Sequence, residues 1–201
     1  MMPAAQSLIT ELDATLSNIS DARHLMILRR VTDLFLVDAG NYSDEQVAIF
    51  DDVISRLIED IGQPALIELS ARLAPVAKAP ANVVARLSGN DDIEISGPAL
   101  EKSDSLTDDT LAEIAEKKSQ KHLVAIAGRA RINEIVTDIL VDRGNSEVAR
   151  KVTANLGARL SELGFVKLIK RAKSDKPLAA MIATRTDMPS ELEPFLKLTL
   201  A

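Results

Sequence analysis

Apolar residues recur along this chain at helical spacing, and over its C-terminal two thirds the pattern restarts every 25 to 30 residues. Aligned, the strings DDIEISGPALEKSDSLTDDTLAEI, QKHLVAIAGRARINEIVTDILV, NSEVARKVTANLGARLSELGFVKLI and DKPLAAMIATRTDMPSELEPFLKL each read as a short apolar helix, a polar turn and a second helix. Ile93, Leu123, Val148 and Leu178 occupy equivalent places, spaced 30, 25 and 30. Units of this length cannot bury an apolar face alone, so they must stack on their neighbours. The pattern predicts four stacked helix pairs between about Leu66 and Leu200. Its inward positions include Leu87, Leu111, Ile114, Ile126, Val136, Leu140, Val152, Phe165, Leu168, Ile182, Leu192 and Leu196.

The N-terminal third is patterned differently. Ser20 or Asp21 begins a helix that runs to about Val37, with Leu25, Leu28, Phe35 and Leu36 on one side, and Ala39-Gly40-Asn41 ends it. Ser43 and Gln46 then have capping-box spacing, with Tyr42 and Val47 at the two staple positions. That second helix continues through Phe50, Val53, Ile54 and Leu57 and is expected to stop at Gly62. Pro64 and Pro80 suit first-turn positions of later helices. The staple recurs in the repeats, where Leu106-Thr107 pairs with Leu111 and Leu160-Ser161 with Phe165. Gly144-Asn145 reads as a tight turn between units, and Met188-Pro189 opens the last helix. The fold class is all-α. We expect an N-terminal helical region over 1–62, then a right-handed α-solenoid of short helix pairs over 63–201, the two parts forming either separate domains or one continuous one.

The strings VTDILVDRG, ANLGARLSELGF and TRTDMPSELEPFL resemble the alphaproteobacterial domain-of-unknown-function family numbered 2336, over a stretch from about Leu25 to the end. The repeats are also similar to HEAT-like and leucine-rich-repeat-variant units. That second resemblance implies an α-solenoid and, since most such proteins bind other proteins, an interaction role. Neither resemblance implies a reaction.

Composition narrows the chemistry. Apolar residues make up 46% of the chain, enough for a large core, yet it holds only four Phe, one Tyr and no Trp. Small aliphatic side chains must therefore do the packing, which suits helix on helix. The absence of cysteine excludes disulfides and thiolate catalysis and agrees with a cytoplasmic location. No secretory signal is read, since Glu11 and Asp13 precede the first basic residue, Arg23. No apolar run reaches the roughly 18 residues of a membrane span, and no membrane partner is expected. No glycine-rich phosphate loop, nucleophile elbow or H-E-x-x-H occurs. The chain is read as a non-enzyme without catalytic residues, cofactor or metal. The doublets Asp51-Asp52, Asp91-Asp92 and Asp108-Asp109 lack calcium-loop spacing, and neither His24 nor His122 has a second ligand at helical spacing.

Charge is divided unevenly. Residues 1–116 hold 8 basic and 21 acidic side chains, net −13, whereas residues 117–176 hold 14 and 6, net +8. The basic segment suggests a surface for an acidic protein segment or helix, with Lys167, Lys170, Arg171 and Lys173 as candidate contacts. Arg129, Asn155 and Arg185 follow the first helix of successive units and are candidates for a binding edge. Each set has a plainer reading, as a solvated face or as partners of helix-terminal carbonyls. The leading function is a protein-interaction module, an adaptor or regulator that docks an acidic partner. Nucleic-acid binding by 117–176 is the alternative, disfavoured by net acidity and by Phe165 being the sole aromatic there. Self-assembly is a third, either head to tail through the charge split or as a homodimer through the N-terminal helices.

Overall fold

A computed structural model describes residues 21–59 and 61–200, and its described residues are helical with no strand. They form two compact units. The first takes the described residues up to Asn90 together with 94–99 and 103–105, and the second takes 91–93, 100–102 and 106 onward.

The first unit holds α1 (Asp21–Val37), α2 (Asp44–Leu57), α3 (Gln63–Leu73) and α4 (Ala81–Ser88). Helix α1 packs on α2, α2 on α4, and α3 on α4. The predicted capping box is formed: Gln46 N–H donates to Ser43 Oγ at 3.3 Å, and Ser43 N–H to Gln46 Oε1 at 2.9 Å. Phe35, Tyr42 and Phe50 close the α1–α2 hairpin, with ring centroids 5.1 to 5.9 Å apart. Ser20, the other candidate cap of α1, lies outside the described residues. Gly62 does not stop α2. It is the N-cap of α3 with φ −69°, and Pro64 stands in the first turn, where its missing N–H costs nothing. Helix α4 has Pro80 at its N-cap, which offers no side-chain acceptor, so buried Asp51 reaches over from α2 and accepts from Asn82 and Val83 N–H at 2.9 Å each.

Helix α5 (Ile93–Lys102) contributes to both units. The second unit continues with α6 (Asp108–Lys117), α7 (Gln120–Ala127), α8 (Glu134–Arg143), α9 (Ser146–Ala154), α10 (Glu162–Ala172) and α11 (Lys176–Ala183). A 3-10 turn, Ser190–Leu192, then leads into α12 (Glu193–Leu200). Packing alternates: α6 lies on α8, α8 on α10 and α10 on α12, while α7 lies on α9 and α9 on α11. Two layers result, the apolar faces meeting between them. All twelve predicted inward positions are buried, from Leu87 to Leu196. Leu123, Val148 and Leu178 are buried, whereas Ile93 is half-buried and the first buried apolar position of α5 is Ile95.

Local devices recur with the repeat. Thr107, Asn133, Asn145, Ser161 and Asp175 each cap a helix by accepting a backbone N–H in its first turn. Leu106 and Leu160, just before two of these caps, are buried, as are Leu111 and Phe165, the positions with which a staple would pair them. Where α7 and α9 end, the following segments run side by side through one parallel bridge. There Ile132 N–H donates to Gly157 O at 3.1 Å and Arg159 N–H to Ile132 O at 2.9 Å.

Three substitutions test this packing. Phe165 is 1% exposed, so Phe165→Ala should lower unfolding free energy by about 3–5 kcal/mol in chemical denaturation. A Cβ on Gly157 would overlap the Ala130 carbonyl oxygen, whereas at Gly62 the nearest atom would be 3.8 Å away. Gly157→Ala should therefore cost about 1–3 kcal/mol and Gly62→Ala almost nothing.

Candidate interaction surface

Arg129, Asn155 and Arg185 do hold equivalent places, but each faces inward to the preceding helix pair of the same compact unit. Arg129 is buried and its Nη1 donates to Leu100 O at 2.8 Å. Asn155 follows α9 with φ −81°, so it is not in the left-handed conformation that ends many helices; no described residue has positive φ. Its amide Nδ2 donates to Ala127 O at 3.0 Å and Arg129 O at 2.7 Å, while its Oδ1 accepts from Gly157 N–H at 2.9 Å. Arg185 is the fullest case. Its side chain is 1% exposed, and its Nη1 donates to Thr153 O and Asn155 O at 3.0 and 2.9 Å. Nη2 donates to Ala158 O at 2.8 Å and to Asp187 Oδ2 at 2.6 Å, and Nε donates to Asp187 Oδ1 at 2.8 Å. All five guanidinium N–H groups are thus engaged, and the plane lies 5.7 Å from the centroid of Phe165.

The other layer uses the same device at helix ends. Arg143 Nη1 donates to Ala115 O, and Arg171 Nη1 to Val141 O at 2.8 Å, each from the last turn of one helix to the last turn of the helix one unit back. Gln120 bridges α7 to the next turn, donating to Arg143 O at 3.0 Å and accepting from Asn145 N–H at 2.7 Å. Arg171, a candidate contact, is thereby a tie between α10 and α8. Lys167 pairs with Asp142 at 2.6 Å. Arg150 grips Asp175 through Nε at 3.0 Å to both oxygens. Burial acts to raise the Asp175 pKa, but the Arg150 hydrogen bond, the Leu178 N–H and the nearby guanidinium charges outweigh it, and the carboxyl sits below its usual range.

Lys170 and Lys173 are different. Both are exposed, and with Lys176 they line a groove of about 860 Å³ between α10 and α12. Its apolar lining is Val166, Ile169, Leu192, Phe195 and Leu198. Val166, Phe195 and Leu198 are 44, 58 and 77% exposed, a cluster of large apolar groups left in water. Among the described residues none of the three lysines has an ion-pair partner. Lys176, Phe195 and Leu198 were not candidates from sequence. The available signal was the string EPFLKLTL, which puts apolar residues on a second face of α12 besides that of Leu192 and Leu196.

The weaker candidates have structural occupations. Asp51 caps α4, as described above. Asp91 pairs with Lys118 at 2.6 Å, and Asp108 and Asp109 lie in the first turn of α6. His122 is buried with Nδ1 2.8 Å from Ser119 Oγ, and His24 is buried on α1. Among the described residues no helix is long and apolar enough to cross a membrane.

Removing a tie should cost far more than removing a groove lysine. Arg185→Ala leaves carbonyls of the preceding unit without their donor and should destabilise by about 3–5 kcal/mol. Arg185→Lys should recover little, because an ammonium cannot reproduce the planar fork. Lys170→Ser with Lys173→Ser should cost under about 1 kcal/mol each, and Arg171→Ser more than either, all read by thermal melting. The Asp187 carboxyl is held below its usual range, chiefly by its hydrogen bond from Arg185. The unfolded chain therefore takes up this proton more readily than the folded one. The stability from the pair is complete above the ordinary carboxylate range and is lost as pH falls through and below it. Asp187→Asn should flatten the acid limb of a melting-temperature profile measured between about pH 6 and 2.

No curated protein and no solved structure matches this chain. Residues 95–193, a shorter stretch than that from about Leu25, match the model of the family described as uncharacterised protein conserved in bacteria (DUF2336), so the resemblance carried by VTDILVDRG, ANLGARLSELGF and TRTDMPSELEPFL is to that family.

Proposed function

We propose that this chain is a non-enzymatic helical-repeat module, built like a HEAT-type α-solenoid, that works in the cytoplasm as an adaptor or regulator by docking an acidic protein segment. One observation carries the reading: the α10–α12 groove sets three lysines, without ion-pair partners among the described residues, beside exposed Val166, Phe195 and Leu198. A structural surface would scatter its cations among carboxylates, as this chain does with Lys117 on Glu113 and Lys167 on Asp142. An aromatic anchor with a charged rim is the usual make-up of a protein-docking patch. The arginines of the basic segment take less part, since Arg129, Arg143 and Arg171 donate to backbone carbonyls.

A photocrosslinking residue placed at Leu198 in the full chain, in its source cells, should give protein adducts that disappear when Lys170, Lys173 and Lys176 are changed to Glu. The same probe at Ile49, an exposed apolar position on α2, supplies the control. Adducts at Leu198 that match the control, or that survive charge reversal, would overturn the reading. Oligonucleotide retardation at micromolar protein, weakening steeply with salt and abolished by the same reversal, would transfer the surface to nucleic acid.

A further inference from the structure

Resting on the docking reading, we infer that the occupant of the α10–α12 groove is an amphipathic α-helix, apolar on the face it buries and carboxylate-rich on the flank that meets Lys170, Lys173 and Lys176. The walls dictate the period. On α10 and at its C-cap the lining residues Val166, Ile169, Lys170 and Lys173 stand at i, i+3, i+4 and i+7. On the facing side, Leu192, Phe195, Leu198 and Thr199 stand at i, i+3, i+6 and i+7, across the 3-10 turn and α12. Both walls are therefore ridges of helical side chains. A third helix meets such ridges with knobs of the same spacing, whereas an extended strand, with period two, turns alternate side chains away from them.

Backbone chemistry points the same way. An extended peptide must find partners for its N–H and C=O groups, and the floor of this groove, Val166, Ile169, Leu192, Phe195 and Leu198, offers side chains that neither donate nor accept. A helix arrives with those groups already satisfied. The apolar floor also separates this occupant from a phosphate backbone, which would use the lysines and leave Val166, Phe195 and Leu198 in water. The lysines fix the sign of the helix and, all lining one groove with that floor, its placement: carboxylates three or four residues apart, next to the apolar stripe.

The test uses the full chain and three labelled peptides about four turns long. One carries Leu at i, i+3, i+4 and i+7 with Glu on the adjoining flank. A second has the same composition in strict Leu/Glu alternation, and a third is the helical pattern with Lys for Glu. In fluorescence anisotropy the acidic helical peptide should bind at least about tenfold tighter than either control and should gain helical circular dichroism on binding. Phe195→Asp, and separately Lys170→Glu with Lys173→Glu and Lys176→Glu, should each weaken it about tenfold or more without shifting the melting temperature. The charge-reversed chain should instead prefer the lysine peptide.

Equal affinity for the alternating peptide, lost in the groove variants, would overturn the helical occupant and leave the docking surface standing. Tight helical-peptide binding that the variants do not touch would place the contact elsewhere and sink both readings. Failure of all three peptides to bind, with cellular crosslinks at Leu198 still present, would overturn the amphipathic helix alone. Binding of anionic vesicles or oligonucleotides in preference to the peptides, lost in the same variants, would reassign the groove to those ligands.

Discussion

Short helices leave much of their backbone unsatisfied, and the second unit of this chain is organised around that constraint. A helix of eight to eleven residues, such as α7 or α10, ends in four carbonyls without intrahelical partners, a large share of its acceptors. Left buried and unpaired, each would cost about 1–3 kcal/mol. In this chain many are answered by a side chain from the next unit: Arg129 on Leu100 O, Asn155 on Ala127 O, Arg185 on Thr153 O, Arg143 on Ala115 O and Arg171 on Val141 O. Within this compact unit, each helix pair therefore completes the one before it. The apolar contacts between layers supply most of the driving force, while the ties fix which helix end meets which.

That arrangement uses arginine where a cation is buried. Arginine carries several donors in a rigid planar fork and is less strongly hydrated than an ammonium, so it can be buried against carbonyls, as Arg185 is against three at once. Lysine holds water more strongly and stays at the surface. Of the basic residues over 117–176, Arg129, Arg143 and Arg171 are spent on carbonyls inside the fold, whereas Lys170, Lys173 and Lys176 remain in solvent beside apolar side chains. Net charge along the sequence overstates what the surface can offer a partner.

The groove and the ties share one helix. On α10, Phe165 and Leu168 point into the core, Arg171 reaches back to α8, and Val166, Lys170 and Lys173 face the groove. Core and tie hold the helix from two sides, so the groove wall is presented by a rigid element. A surface built this way would need little reordering if a partner bound there.

Much of this was legible in the sequence. Apolar periodicity at 3.6 residues is a local property of the chain, so helix class and the twelve inward positions could be read from it, as could the capping box at Ser43 and Gln46. Cap signals are local too, which is why Thr107 and Ser161 were found. Gly62 misled because glycine serves either end of a helix, and only the following Pro64, by fixing the first turn of α3, decides which. The roles of Arg129, Asn155, Arg185 and Arg171 could not be settled from spacing, since the carbonyls they serve lie 26 to 32 residues away and meet them only after the units stack. The groove was hidden for the same reason. Val166, Lys170, Phe195 and Leu198 belong to different elements, and only packing of α10 against α12 brings them to one surface.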